Sequence, residues 1–257
     1  MLKKRFKHIF NDTMRWIYIS PHFDDAVLSC GGLIWEQTHS GIPVEIWTVM
    51  AGDPPPGPVS DLITRVNTDW NTGTPKETVA LRRIEDKNSA RYVGATVRHM
   101  KIVDALYRRT NTGNLLYTQD VLEPIPVHPR DTGIVEDATR QIAENLTQHD
   151  TIVCPLSIGG HVDHIITRKA VEALDRPLWY YADIPYLLKH ENELAPATAN
   201  MKGKTFFISA QGLAAWKKGI AAHASQISTL FEDMQDMRAQ VKNYHLSRSG
   251  LTIWDCE

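Results

Sequence analysis

Ser20-Pro21-His22-Phe23-Asp24-Asp25-Ala26-Val27-Leu28-Ser29-Cys30-Gly31-Gly32 follows the apolar run Trp16-Ile17-Tyr18-Ile19. A short, continuous apolar strand leading through a polar turn into a helical pattern is the first unit of a parallel α/β sheet. The helical pattern runs to about His39 and stops at Ser40-Gly41. The turn carries one histidine and two adjacent carboxylates, which repel each other unless positive charge sits between them. The same arrangement recurs downstream. Thr151-Ile152-Val153-Cys154-Pro155-Leu156 is a second apolar strand, and Gly159-Gly160-His161-Val162-Asp163-His164 opens another helix.

Outward from these two stretches the alternation continues. Strand-like runs occur at 44–50, 97–103, 178–182 and 205–208, and helix-like stretches at 77–93, 135–148 and 164–174. The pattern predicts a Rossmann-like α/β fold, a mostly parallel sheet with helices on both faces. The region from Pro54-Pro55-Pro56 to Pro75 reads as a long loop at a strand exit. From Ser209 the chain reads as one or two helices reaching about Tyr244. Residues 1–13 form a basic arm, and 14–257 a single domain in which 178–257 is a C-terminal extension packed on the sheet.

The 257 residues suffice for one large α/β domain. A net charge of −2 gives no electrostatic footprint for nucleic acid or an anionic membrane, and no apolar run reaches the ~20 residues of a spanning helix. Cys30, Cys154 and Cys256 are too scattered for a disulfide framework or a Cys-based zinc ribbon. They fit a reducing, cytoplasmic setting, with Cys30 and Cys154 as buried thiols. Gly31-Gly32 lie inside a helix rather than in the turn, so the dinucleotide fingerprint Gly-x-Gly-x-x-Gly is missing.

In an open α/β sheet ligands gather at the carboxyl ends of strands where the strand order reverses. If the strands at 16–20 and 151–156 are neighbours there, the two His/Asp clusters converge into one metal site. Two imidazoles and a carboxylate leave an open position on zinc for water. Of Asp24 and Asp25, one can face the metal and the other the water. His161 and His164, three apart at a helix start, share a side, so one can bind metal while the other reaches substrate. Asp163 can fix the tautomer of one histidine.

The segments Pro21-His22-Phe23-Asp24-Asp25 with Gly31-Gly32, and His161-Val162-Asp163-His164, resemble the two signature motifs of the PIG-L/LmbE-like zinc-dependent N-deacetylases. The stretch from Glu77 to Asp86 with Ala90 and Gly94 resembles that family's Arg-x-x-Glu helix, and Asp104-Ala105-Leu106-Tyr107-Arg108 the segment after its third strand. The resemblance covers about residues 14–186. Phe23 departs from it, standing where proline is common. The resemblance implies Zn2+, or another divalent metal, on His22, Asp25 and His164, with Asp24 as general base. It implies that His161 donates to the oxyanion or the leaving amine, oriented by Asp163.

The activity implied is removal of an N-acetyl group from an amino sugar or glycoconjugate, a small-molecule substrate, with self-association left open. Two alternatives stand beside it: a metal-dependent hydratase or lyase acting on an unsaturated acid, and a non-catalytic binding module. Arg82, Asp104 and Arg108 are candidate substrate contacts, against an Arg82–Glu85 helix-face ion pair and loop capping by Asp104 and Arg108. Tyr180, Tyr181, Asp183 and Tyr186 suit either stacking on a sugar or core packing. His223 and Gln226 carry no assigned chemistry, and His99, His128 and His149 read as surface or loop residues.

Overall fold

The computed structural model describes residues 15–119 and 124–256, so the basic arm at 1–13 lies outside the described residues. Strand β1 (Trp16–Ser20) is buried at every position. It is an inner strand of a seven-stranded sheet of order β3-β2-β1-β4-β5-β7-β6, with β2 at Val44–Thr48, β3 at Thr96–His99, β4 at Thr151–Pro155 and β5 at Leu178–Tyr181. These five are parallel. The order reverses between β1 and β4, which pair directly from Trp16–Thr151 to Tyr18–Val153, so the two His/Asp-bearing turns emerge side by side. The expected Rossmann-like α/β architecture is the one observed.

Helix α1 (Asp25–His39) leaves β1. Helix α3 (Pro75–Val93) has Thr74 as its N-cap and ends at Gly94, which takes the left-handed conformation at φ 77°. Both pack against α6 (Ala210–Ala221), while α4 (Thr132–Ala143) packs on α5 (Val162–Glu172). Between α1 and α6 the backbones approach closely because Gly31 and Gly32 offer no Cβ. A Cβ on Gly31 would lie 2.5 Å from Trp216 Cδ1. The Trp216 indole N–H donates to the carbonyls of Val27 and Leu28, at 2.8 and 3.1 Å. Cys30 and Cys154 are buried free thiols, as expected.

One expectation is corrected. The region read as a loop up to Pro75 contains helix α2 (Asp61–Asp69), capped by the Ser60 hydroxyl, which accepts from Ile63 N–H. Leu62, Val66 and Trp70, four residues apart, form the ridge that marks it. The segment from 178 onward contributes β5, β6 (Met201–Phe206) and β7 (Leu251–Cys256) to the sheet. Strand β7 runs antiparallel to both neighbours and follows α7 (Met234–Arg248). No helix among the described residues is long and apolar enough to cross a membrane.

Candidate metal centre

The Ser20 hydroxyl organises the turn after β1. It donates to the His22 carbonyl at 2.6 Å and accepts from Ala26 N–H at 3.0 Å. Asp24, although at the N-cap of α1, makes no side-chain cap bond, so its carboxylate faces the cavity. Asp25 Oδ2 accepts from His22 N–H at 2.7 Å. The same oxygen lies 3.2 Å from His22 Nδ1 and 3.3 Å from His164 Nε2.

Those two spacings are the test of a metal site. Ligands at ~2.0–2.1 Å from a tetrahedral ion are separated by ~3.3–3.4 Å along each edge. His164 Nε2 is buried and has no hydrogen-bond partner. An orphaned imidazole nitrogen beside a carboxylate oxygen suits a cation, and Asp25 stands at such spacing from both His22 and His164. His22, His161 and His164 also place ligand atoms within 4.8 Å of one another.

The far nitrogens of His22 and His164 are each held by a carboxylate, as metal-binding imidazoles usually are. His164 Nδ1 sits 2.7 Å from Asp183 Oδ1. His22 Nε2 sits 3.1 Å from Asp163 Oδ2. The Asp163 carboxylate thus meets His22, where the resemblance implied His161. It also accepts from Ala105 N–H at 2.9 Å and pairs with Arg108 at 2.6 Å. His161 instead accepts from Asp163 backbone N–H through Nδ1, at 3.1 Å. That bond fixes the neutral ring with its proton on Nε2, facing the cavity that it lines.

The electrostatics follow from burial and neighbours. Burial lowers the pKa of His161 well below its usual value, and the adjacent His22 and His164 push the same way. For His164 burial is outweighed by Asp25 and Asp183, and its pKa rises to about 9. The pKa of His22 is likewise raised well above its usual value: burial opposes the charge, but hydrogen bonds to Asp163 and Asp25 prevail. The metal-free site thus attracts protons where a cation would bind, as metal sites built from ionisable ligands do.

Arg82 and Asp104 line the cavity with His22, Asp24, Asp25 and His161. Arg82 does not pair with Glu85; Glu85 accepts from the Ser225 N–H and hydroxyl. Asp104 caps its own turn by accepting from Leu106 N–H at 2.9 Å. Arg108 stands apart from the other two candidates. It does not line this cavity, and its buried guanidinium lies 2.6 Å from Asp163 and 2.9 Å from Asp131. Tyr181 is core, donating to the Ile19 carbonyl, whereas Tyr186 lines the cavity. His99 is no free surface residue, because its Nε2 meets Asp86 at 2.8 Å and its ring packs edge-on to Phe23. Sequence reasoning missed Asp183 as the partner of His164 and Leu62, Val66, Trp70 and Leu230 as cavity walls.

Fold and site together define an α/β protein with a His/Asp metal-type centre at the switch point of its sheet. The chain belongs to the PIG-L family, whose model, described as GlcNAc-PI de-N-acetylase, matches residues 17–174. It is 29% identical over 198 residues, 71% of either chain, to a 2'-N-acetylparomamine deacetylase of Niallia circulans. It is 26% identical to the solved A40926 pseudoaglycone deacetylase Dbv21, at a TM-score of 0.72 over 94% of this chain and 96% of that one. A deacetylase of teicoplanin biosynthesis shares the fold, with a TM-score of 0.79, 24% identity and coverage of 94% and 97%.

Proposed function

We propose that this protein is a zinc-dependent N-deacetylase acting on a 2-acetamido sugar within a larger glycoconjugate or aminoglycoside. The observation that supports the reading is the Asp25 carboxylate oxygen 3.2 Å from His22 Nδ1 and 3.3 Å from His164 Nε2, beside Asp24, a carboxylate left free of capping duty. The family membership and the deacetylase relatives support the same substrate chemistry. Two imidazoles and one carboxylate are a usual catalytic zinc set.

A divalent ion on these three residues would acidify a water and polarise the amide carbonyl. Asp24 takes the proton of the water that attacks the acetyl carbon. His161, with its proton on Nε2, donates to the carbonyl oxygen as negative charge develops there. Breaking the C–N bond requires a proton on the departing nitrogen, and protonated Asp24 is placed to return the one it took. Leu28, Leu106 and Tyr186 line the cavity and keep bulk water from the reacting amide.

The deciding experiment supplies the zinc-loaded protein with N-acetylated amino sugars and aminoglycosides and measures acetate and primary amine. Equimolar release is expected. Asp24→Asn is expected to keep metal and lose turnover by about 10²–10⁴-fold. Failure to release amine from any member of the panel, with consumption of an unsaturated acid instead, would replace this reading by the hydratase one.

A further inference from the structure

Three side chains between α3 and the turn after α6 form a hydrogen-bonded chain that ends at the cavity. Glu85 is buried and lies one helical turn beyond Arg82 on α3. Its carboxylate oxygens both accept from Ser225, one from the backbone N–H at 2.8 Å and one from the hydroxyl at 2.6 Å. Ser225 belongs to the tight turn Ala224–Gln226. Its hydroxyl oxygen stands 2.8 Å from the side-chain nitrogen of Gln226. Gln226 is buried and lines the cavity with Asp24, Arg82 and Tyr186.

The order of donors along this chain is forced. An ionised carboxylate only accepts, so the Ser225 hydroxyl gives its one proton to Glu85. That oxygen then has only lone pairs to offer, and the NH2 end of the Gln226 amide must face it. The amide is locked with its carbonyl turned away from Ser225. Among the described residues this is the only hydrogen bond of the Gln226 side chain. Its Oε1 is thus an acceptor still lacking a donor, on a residue that lines the cavity.

A ligand that fills a cavity excludes water from such a carbonyl, and a buried acceptor left unpaired costs affinity. The occupant therefore has to bring a donor to this point. An apolar group brings none. An ammonium is the poorer match, because Arg82 already holds positive charge in the same wall and like charges disfavour each other. We propose that Gln226 is a specificity-determining residue whose Oε1 accepts from a hydroxyl of the substrate's amino-sugar ring. Ser225 and Glu85 are the positioning residues that set its amide. The substrate class rests on the deacetylase reading, whereas the chain of bonds that orients Gln226 stands apart from it.

The test gives the zinc-loaded enzyme methyl 2-acetamido-2-deoxyglucopyranoside and its 3-, 4- and 6-deoxy analogues. In the wild type, loss of one of these hydroxyls is expected to lower kcat/KM about 3–10-fold, the worth of one neutral hydrogen bond, chiefly through KM. Gln226→Met keeps the length of the side chain without its carbonyl, so it should treat that analogue and the parent alike. Ser225→Ala, which frees the amide to turn, should blunt the same preference, and Ser225→Thr should retain it. A preference that survives in Gln226→Met, or a wild type indifferent to all three hydroxyls, would overturn the proposal.

A second arm needs no turnover. In glutamine-15N-labelled protein the Gln226 NH2 signals should move on Ser225→Ala. They should also move on Glu85→Gln, which puts a donor beside Ser225 and frees the serine proton to face Oε1. Signals indifferent to both substitutions would overturn the locked amide. Should the wild type release amine from no acetylated glycoside, the deacetylase reading fails. Titration of the same four glycosides into zinc-loaded Asp24→Asn then judges Gln226 separately. Discrimination among them that an added Gln226→Met abolishes supports the contact, and its absence overturns it.

Discussion

The two residues that the HxDH-like stretch brings together, His161 and Asp163, have separate duties. His161 keeps its proton on Nε2 because a backbone N–H occupies Nδ1, and burial beside two other histidines keeps it neutral. It is a neutral hydrogen-bond donor in the resting state. His161→Ala is expected to retain metal and to slow amide cleavage by about 10²–10³-fold, the usual cost of one oxyanion donor. Asp163 acts on His22 instead, so Asp163→Asn is expected to weaken metal affinity about 10–100-fold. Titration of the stripped variants with Zn2+ separates the two. Normal affinity in Asp163→Asn would return its carboxylate to His161.

At the scale of elements, the near contact of α1 and α6 depends on a glycine. Gly31→Ala gains about 1 kcal/mol in helix propensity, but the new methyl meets the fixed indole of Trp216, and overpacking of this kind costs about 1–3 kcal/mol. A net fall in Tm is expected, by about 2–4 °C for each kcal/mol lost. A Tm equal to wild type would mean that the helices part freely. Because α1 starts at Asp25, the same variant tests whether the helix contact steadies the site.

The parallel half of the sheet was legible in sequence because strands buried on both faces read as unbroken apolar runs. The two turns were legible because adjacent histidines and aspartates are rare without a charge between them. Strand β7, Leu-Thr-Ile-Trp-Asp-Cys, was not read as a strand, since an alternating edge-like pattern at 251–256 gave no hint that it would be interior. Helix α2 was hidden by the proline cluster before it, although its ridge at Leu62, Val66 and Trp70 was present to be counted. Asp183 and Arg108 could not be assigned from spacing, because their partners lie 19 and 55 residues away along the chain.

For the whole molecule, the site is a seam between the β1–β3 and β4–β5 portions of the sheet, and metal binding should bind the two together. At 100 times its Kd a ligand adds about 2.7 kcal/mol of stability. The pH dependence has a definite sign. The folded-state pKa of His164 is raised from 6.5 to about 9, so in metal-free protein its contribution is complete below pH 6.5 and is lost as pH rises through about 9. Metal must displace that proton, so its stabilisation grows over the same window. The gap in Tm between zinc-loaded and chelated protein is therefore expected to widen from pH 6.5 to 9. A constant or narrowing gap would remove His164 from the ligands.

Strand β7 lies between β5 and β6, although it is made after both. During synthesis, then, β6 emerges with no neighbour to pair with, and β5 keeps an open edge, until the chain has gone on through α7 and delivered residues 251–256. The two His/Asp-bearing turns, both contributed by residues before Pro185, are finished well ahead of this. A ribosome stalled between Phe206 and Leu251 would hold a nascent chain with its reactive centre spelled out and two unpaired strand edges exposed, the kind of surface that templates aggregation. Deleting residues 251–256 is accordingly expected to yield insoluble protein rather than a soluble, weaker enzyme. The last strand to arrive is the keystone of the sheet, and vectorial synthesis leaves it no earlier turn.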